Sequence, residues 1–416
     1  METNINKYWN NIFNDYNILN KIDRDGFFTI SANEIRNYKE PRLITKFDCA
    51  TQLPEIMREN HIGILPITRG DYLLGKFNCF KDFPNDSNID IKKVEFPSWI
   101  KSIDINDIYS ESLAISTALI SPIFNDFFGE EELVSTISGR MKSGNFNFEI
   151  EGLNITVNNS QIEIDGAIES RNKFVLIEAK NVIHDNFMIR QLYYPYRKFQ
   201  QLINKPIHPI FLVYSNGIFR VLEYKFSQLE RYDSLELVKE KRYSIDSTLI
   251  TIKDLETVYA STRINNFDDG TPFPQCDDFN KIISLIEQLD ENEGMTKKEI
   301  GQLFGFVGRQ ADYYFNGAKY LGFVEQRYDK IFLTSKGRML IDTDYKTRQL
   351  RLVQAIIERP VFNELIRFYL NTREEPDKNF IESIVKNLTA IESPSTITRR
   401  SQTVKNWIKW IINLIS

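Results

Sequence analysis

The stretch QIEIDGAIESRNKFVLIEAK, residues 161–180, alternates apolar and polar side chains, breaks at a polar segment and resumes as FVLIEAK. Period-two alternation is the signature of β-strands, and the break has the composition of a turn, so a hairpin is expected. A turn centred on Ser170 and Arg171 sets Asp165 opposite Ile177 and beside Glu178. Glu178 and Lys180 then share one strand face, while Val175, Ile177 and Ala179 share the other. Two carboxylates and an ammonium converge on one face of a sheet. That is the minimum needed to hold a hard divalent cation and a water beside a phosphodiester.

Composition sets the frame for this hairpin. A chain of 416 residues with 42% hydrophobic and 26% charged residues has the make-up of a soluble multidomain protein. Its N-terminus, METNINKYWNN, lacks the basic start and apolar run of a signal peptide, so a cytoplasmic location is expected. Cys49, Cys79 and Cys276 lie far apart, as do His61, His184 and His208, and these spacings suit neither a zinc site, a disulfide framework nor a Ser-His-Asp triad. The net charge of −5 argues against a protein that coats DNA, but local basic patches can still contact phosphates.

In chain order, residues 1–110 read as a small mixed α/β domain with Arg42, Lys46 and Arg69 at its turns. Residues 111–255 form a second unit. Within it, Ser110 to Arg140 reads as helix, ending in an acidic cluster that includes Glu131 and Glu132. Phe146 to Val157 reads as a strand preceding the hairpin, Met188 to Leu202 as a helix, and PIFLVY (209–214) as a buried strand. A helix, a meander of strands, a helix and a buried strand fold naturally into an α/β/α core.

Five segments carry a more specific likeness: EPRLITKFD (40–48), ILPITRGDYLLGKF (64–77), GRMKSGNFNF (139–148), QIEIDGAIE (161–169) and IRQLYYPYR (189–197). Together with the order of elements they resemble bacterial type II restriction endonucleases of the PD-(D/E)xK nuclease superfamily. The resemblance implies a Mg²⁺-dependent endonuclease that cuts double-stranded DNA to leave 5′-phosphate ends. It makes Asp165 and Glu178 metal ligands and Lys180 the residue that orients or polarises the attacking water. It further implies a cognate DNA methyltransferase in the same restriction-modification system. A homodimer is expected, because one site cuts one strand. The chain departs from the superfamily's pattern in having Ile164 before Asp165. Glu163, Glu131 and Glu132 are accessory ligand candidates, each of which reads first as a solvated carboxylate, and Gln191 is a candidate for setting the site.

Residues 255–276 lack periodicity and read as a linker. Residues 277–345 then show three helical segments and two short strands around Arg327–Lys330, the pattern of a winged helix-turn-helix. Its third helix would expose Arg309, Gln310, Tyr313, Asn316 and Lys319 to DNA, and Arg327 and Lys330 at the wing would reach phosphates. Residues 346–416 read as helical. They end in STITRRSQTVKNWIKWI, which resembles the C-terminal helix-turn-helix end of the same enzymes and adds Arg399 and Arg400 as DNA contacts. Two further readings are a non-catalytic winged-helix regulator and a nuclease of repair or of methylated DNA.

Overall fold

The central sheet has seven strands in the order Ile91–Lys93, Leu235–Ser244, Ile218–Phe226, Ile207–Ser215, Phe174–Lys180, Gln161–Glu169 and Val134–Lys142. The computed structural model describes residues 4–84, 89–130, 132–265, 270–341 and 343–415. Phe174–Lys180 lies antiparallel to Gln161–Glu169 and parallel to Ile207–Ser215, and the helix Arg190–Gln200 makes the crossover. A parallel pair needs such a crossover, and the helix it places on the sheet explains why Phe174 to Ala179 is buried on both faces.

The hairpin forms, with a register one step from that expected. Phe174 pairs with Glu169 and Ile177 with Gly166. Its loop is Ser170–Lys173, closed by the Ser170 N–H donating to the Lys173 carbonyl at 3.0 Å. This longer loop shifts the pairing, so Gly166 rather than Asp165 stands opposite Ile177. The faces alternate as expected. Val175, Ile177 and Ala179 pack with Ala114, Ile115 and Phe124, while Phe174 and Leu176 pack with Leu192 and Phe199.

Three local readings are corrected. Ser110 to Arg140 is not one helix: Glu111–Ile120 and Ile123–Phe128 are helices, and Val134–Lys142 is the edge strand of the sheet. The run Val134-Ser135-Thr136-Ile137 favours strand, and Gly139 at φ 99° lies at a register irregularity that no helix would tolerate. Phe146 to Val157 is a hairpin of Asn145–Ile150 and Leu153–Asn158, turned by Glu151 and Gly152 at positive φ. The 255–276 linker begins later, because a capping box between Thr251 and Asp254 opens the helix Ile252–Ser261.

The region 1–110 is not separate from the sheet. Its own three strands, Phe27–Ser31, Asp71–Lys76 and Ile62–Pro66, lie beside helices Asn4–Asp15 and Ile18–Asp25, but Trp9, Ile30 and Leu74 belong to the same apolar core as Leu176, Tyr193 and Leu222. Ile91–Lys93 also joins the central sheet directly.

Likewise 277–345 and 346–416 share one core. Helices Phe279–Glu291, Lys297–Phe304 and Gln310–Tyr320 and a small sheet of Met295–Thr296, Lys330–Leu333 and Val324–Arg327 pack with the last helices through Ile282, Phe315, Leu352, Phe362 and Trp407. The first of these helices is capped by Asp278, whereas the carboxylate of Asp277 accepts from Thr403. Pro360 and Pro394 open helices Pro360–Thr372 and Pro394–Asn413, where their missing N–H costs nothing. Among the described residues no helix is long and apolar enough to cross a membrane.

Trp407 ties this core together, donating Nε1 to the Cys276 carbonyl at 2.9 Å and packing on Phe279 and Phe362. Trp407→Ala is expected to lower the unfolding free energy in urea by about 4 kcal/mol. A loss below about 1 kcal/mol would show that the last helix is not part of this core.

Candidate active site

Asp165, Glu178 and Lys180 come together where the hairpin strands diverge. Beyond the Gly166–Ile177 pair, the Asp165 Oδ2 accepts from the Ala179 N–H at 2.9 Å, so a side chain takes over from the backbone ladder. Glu178 is buried and its Oε1 accepts from Lys180 Nζ at 2.7 Å. Three more side chains close on this pair. Gln191, in the first turn of the crossover helix, donates Nε2 to Glu178 Oε1 and to Asp48 Oδ1, the latter at 3.2 Å. Glu111, the first residue of its helix after the Ser110 cap, lies 3.4 Å from Lys180 Nζ, and Asp48 lies 4.0 Å from it.

The cluster is short of positive charge. Asp48, Glu111, Asp165 and Glu178 all act on the single ammonium of Lys180 and outweigh its burial, holding it well above its ordinary pKa. Burial pushes the Glu178 carboxyl up to about 8; Lys180 opposes this, and Asp165 and Asp48 push further. Glu111 is raised too, chiefly by burial, with Lys180 again opposing. The Gln191 Oε1 is buried without a hydrogen-bond partner among the described residues. Oxygen donors, surplus negative charge and an orphaned amide oxygen are the chemistry a hard divalent cation takes, while among the described residues no three acidic, His or Cys side chains are already grouped to hold one.

The other candidates separate. Glu163 is exposed and held by Arg140 of the edge strand at 3.0 Å and by Lys46 at 3.3 Å, and Glu132 faces Arg171 at 3.6 Å; neither joins the cluster. Glu131 lies outside the described residues. Asp48 and Glu111 do not stand out in the sequence. Asp48 closes the EPRLITKFD segment, and Glu111 follows a capping serine; these were the available signals. His184, read as merely scattered, borders the cluster: burial lowers its pKa, with Asp48 and the neighbouring Phe304 backbone opposing.

That contact belongs to a seam between the sheet and the C-terminal core. Gln52 donates Nε2 to the Gln302 carbonyl at 3.0 Å, and Lys281 meets Asp185 at 2.8 Å. Gly305, the left-handed cap of its helix, fits so tightly that a Cβ would lie 2.4 Å from Thr51 Oγ1 and 2.6 Å from Cys49 Sγ. The segments leading from Asp48 and from Lys180 are thus both pinned by one helix end.

Of the expected DNA contacts, Arg309, Tyr313 and Arg400 line a common cavity. Gln310 is exposed, but its Oε1 accepts from the Val307 N–H at 2.8 Å, a local capping role. Lys319 is half-buried farther along the same helix, and Arg399 is exposed on the last one. Arg327 pairs with Glu325 at 2.5 Å on the small hairpin, where Lys330 is exposed.

Three protein families match segments of the chain, each described as a domain of unknown function: DUF6996 over residues 6–74, DUF6997 over residues 75–244 and DUF7226 over residues 281–416. No curated protein and no solved structure matches it. The cluster is built from the first two matched segments, because Asp48 lies in one and its partners in the other.

With Glu178 protonated in the fold up to about pH 8 but ionised above about 4.5 when unfolded, the native state binds the extra proton across that window, and stability falls as pH rises through it. In EDTA, Glu178→Gln, neutral in both states, is expected to make the melting temperature depend less steeply on pH over this window. An unchanged slope would show that Glu178 does not titrate there.

Proposed function

We propose that this chain is a Mg²⁺-dependent, sequence-specific endonuclease of double-stranded DNA, of the type II restriction kind, with a PD-(D/E)xK core and a winged-helix DNA-reading unit. The observation that carries the reading is the meeting of Asp165, Glu178 and Lys180 with Glu111, Asp48 and Gln191 around the buried hydrogen bond from Lys180 to Glu178. Fold stability alone does not call for it. Burying the Glu178 carboxylate, with the half-exposed Asp48 and Glu111 crowding the same single ammonium, opposes folding, and such clusters are enriched where chemistry needs them.

Asp165 and Glu178, with Glu111 within reach, would hold the cation. Bound there, Mg²⁺ would supply charge stabilisation at the scissile phosphate and a bound water of lowered pKa. Lys180, anchored by Glu178, would position the attacking water and offset the charge on a phosphate oxygen. The water's oxygen would bond to phosphorus as the P–O3′ bond breaks, the water giving up a proton to solvent and the departing 3′ oxygen taking one up, to leave 5′-phosphate and 3′-hydroxyl ends. Gln191 would fix the orientation of Glu178 and Asp48 by donating to both. The C-terminal succession of helix, short strand, two helices and two strands, closed by a three-stranded sheet, supports the winged-helix reading. A cognate methyltransferase, a homodimer that cuts both strands and a cytoplasmic location complete the proposal.

Incubation with unmethylated and methylated phage DNA is expected to give discrete fragments only with Mg²⁺. Glu178→Ala and Lys180→Ala are each expected to lower the rate by at least about 100-fold while DNA binding persists. Binding without cleavage under any divalent metal would overturn the proposal.

A further inference from the structure

Pro272, Phe273 and Gln275, the helix Gln310–Tyr320 with Arg309 ahead of it, and Arg400 of the last helix enclose a cavity of about 280 Å³. Arg309, Tyr313 and Asn316 recur at helical spacing, so one face of the helix expected to read DNA lines this cavity. Arg400, expected to contact DNA from an element far along the chain, opens onto the same space. Two separately expected DNA contacts are therefore walls of one concave site.

Those walls are held in place. A Cβ on Gly317 would lie 2.3 Å from Cys276 Sγ, which shows how closely the helix packs on the 272–276 segment. Thr403 donates to Asp277 at 2.6 Å and Trp407 to the Cys276 carbonyl at 2.9 Å, fastening that segment to the last helix. Phe273 packs edge-on to Tyr320 and lies parallel to Phe362. Such preorganised concavity is what a ligand site needs and what a flat groove-reading face lacks.

The lining leaves polar groups open to a ligand. Asp312 is engaged by Lys297 at 2.7 Å, but among the described residues the side chains of Arg309, Tyr313, Asn316, Gln275 and Arg400 make no hydrogen bond or ion pair. Two guanidiniums favour a phosphate, two amides suit the edge of a base, and Tyr313 and Phe273 offer aromatic faces. The volume far exceeds what a phosphate needs, given that a water takes about 30 Å³.

We propose that this cavity receives one unstacked nucleotide, its phosphate against Arg309 and Arg400 and its base against Tyr313 and Phe273. The inference rests on the reading of the chain as a DNA enzyme and adds to it a nucleotide subsite apart from the acidic cluster. The nucleotide is either extruded from a duplex or free in solution, and the chemistry of recognition is the same. Extrusion is easiest where a nucleotide is already unpaired.

The test uses the full chain without Mg²⁺. Anisotropy compares a duplex carrying one unpaired adenosine with the fully paired duplex, and calorimetry compares dAMP with inorganic phosphate. The unpaired duplex is expected to bind about tenfold tighter, a preference that Tyr313→Ala and Arg400→Gln remove. Binding of dAMP, but not of phosphate at the same concentration, is expected as well. Binding of dAMP without duplex preference supports the free nucleotide as occupant. Equal affinity for both duplexes with no dAMP binding overturns the proposal, as does phosphate binding as well as dAMP. The wild-type arms decide even where a variant fails to fold. Cleavage of phage DNA by the same preparation separates the two readings: cleavage without nucleotide binding overturns only the subsite, and nucleotide binding without cleavage overturns only the nuclease.

Discussion

A carboxylate buried in the middle of a sheet is the constraint on which this molecule turns. Glu178 sits on a strand covered on both faces, where ionisation is costly, and its protein partners are one ammonium and one amide. Its surroundings follow from that position. The Asp165 carboxylate holds the diverging strand, the Glu111 helix begins at the cluster, and Gln191 starts the crossover helix there. Replacing Glu178 by an apolar residue would relieve the electrostatic cost, so its presence there is better accounted for by chemistry than by stability.

The seam with the C-terminal core gives the cluster a second dependence. Asp48 is carried by a loop fastened on one side to the short strand Asn186–Met188 just before the crossover helix, where its carbonyl accepts from the Met188 N–H at 3.1 Å, and on the other to the helix end at Gln302–Gly305. His184 and Asp185 reach the same helix end and its neighbour. The Lys281–Asp185 pair joins a buried ammonium to an exposed carboxylate. The tight fit at Gly305 and the backbone hydrogen bonds add geometric precision, which a site working by positioning needs. On the proposed nuclease reading, the DNA-reading unit and the acidic cluster would thereby share one rigid joint.

Much of this was legible from short-range pattern. Alternation gave the hairpin and placed Glu178 and Lys180 on one face, because the period of a strand is two whatever lies around it. The register slipped by one because a four-residue loop was taken for a tighter one. Glu111 stayed hidden behind the reading of 110–140 as a single helix, which drew attention to Glu131 and Glu132 at its supposed end. Asp48 reaches the site from a loop distant in sequence, and nothing local marks such a contact. The shared cavity of Arg309, Tyr313 and Arg400 is a product of packing between distant helices, and helical periodicity shows the face but never its neighbour.

The central claim is that the acidic cluster is a cation site, and calorimetry tests it without any DNA. Titrating Mg²⁺ into the full chain at neutral pH, in two buffers of different ionisation enthalpy, measures binding and proton exchange together. Because the Glu178 carboxyl stands at about 8 without a cation, binding is expected to expel a proton, and Glu178→Gln is expected to abolish that release. Binding with no proton released, or no binding, would contradict the account.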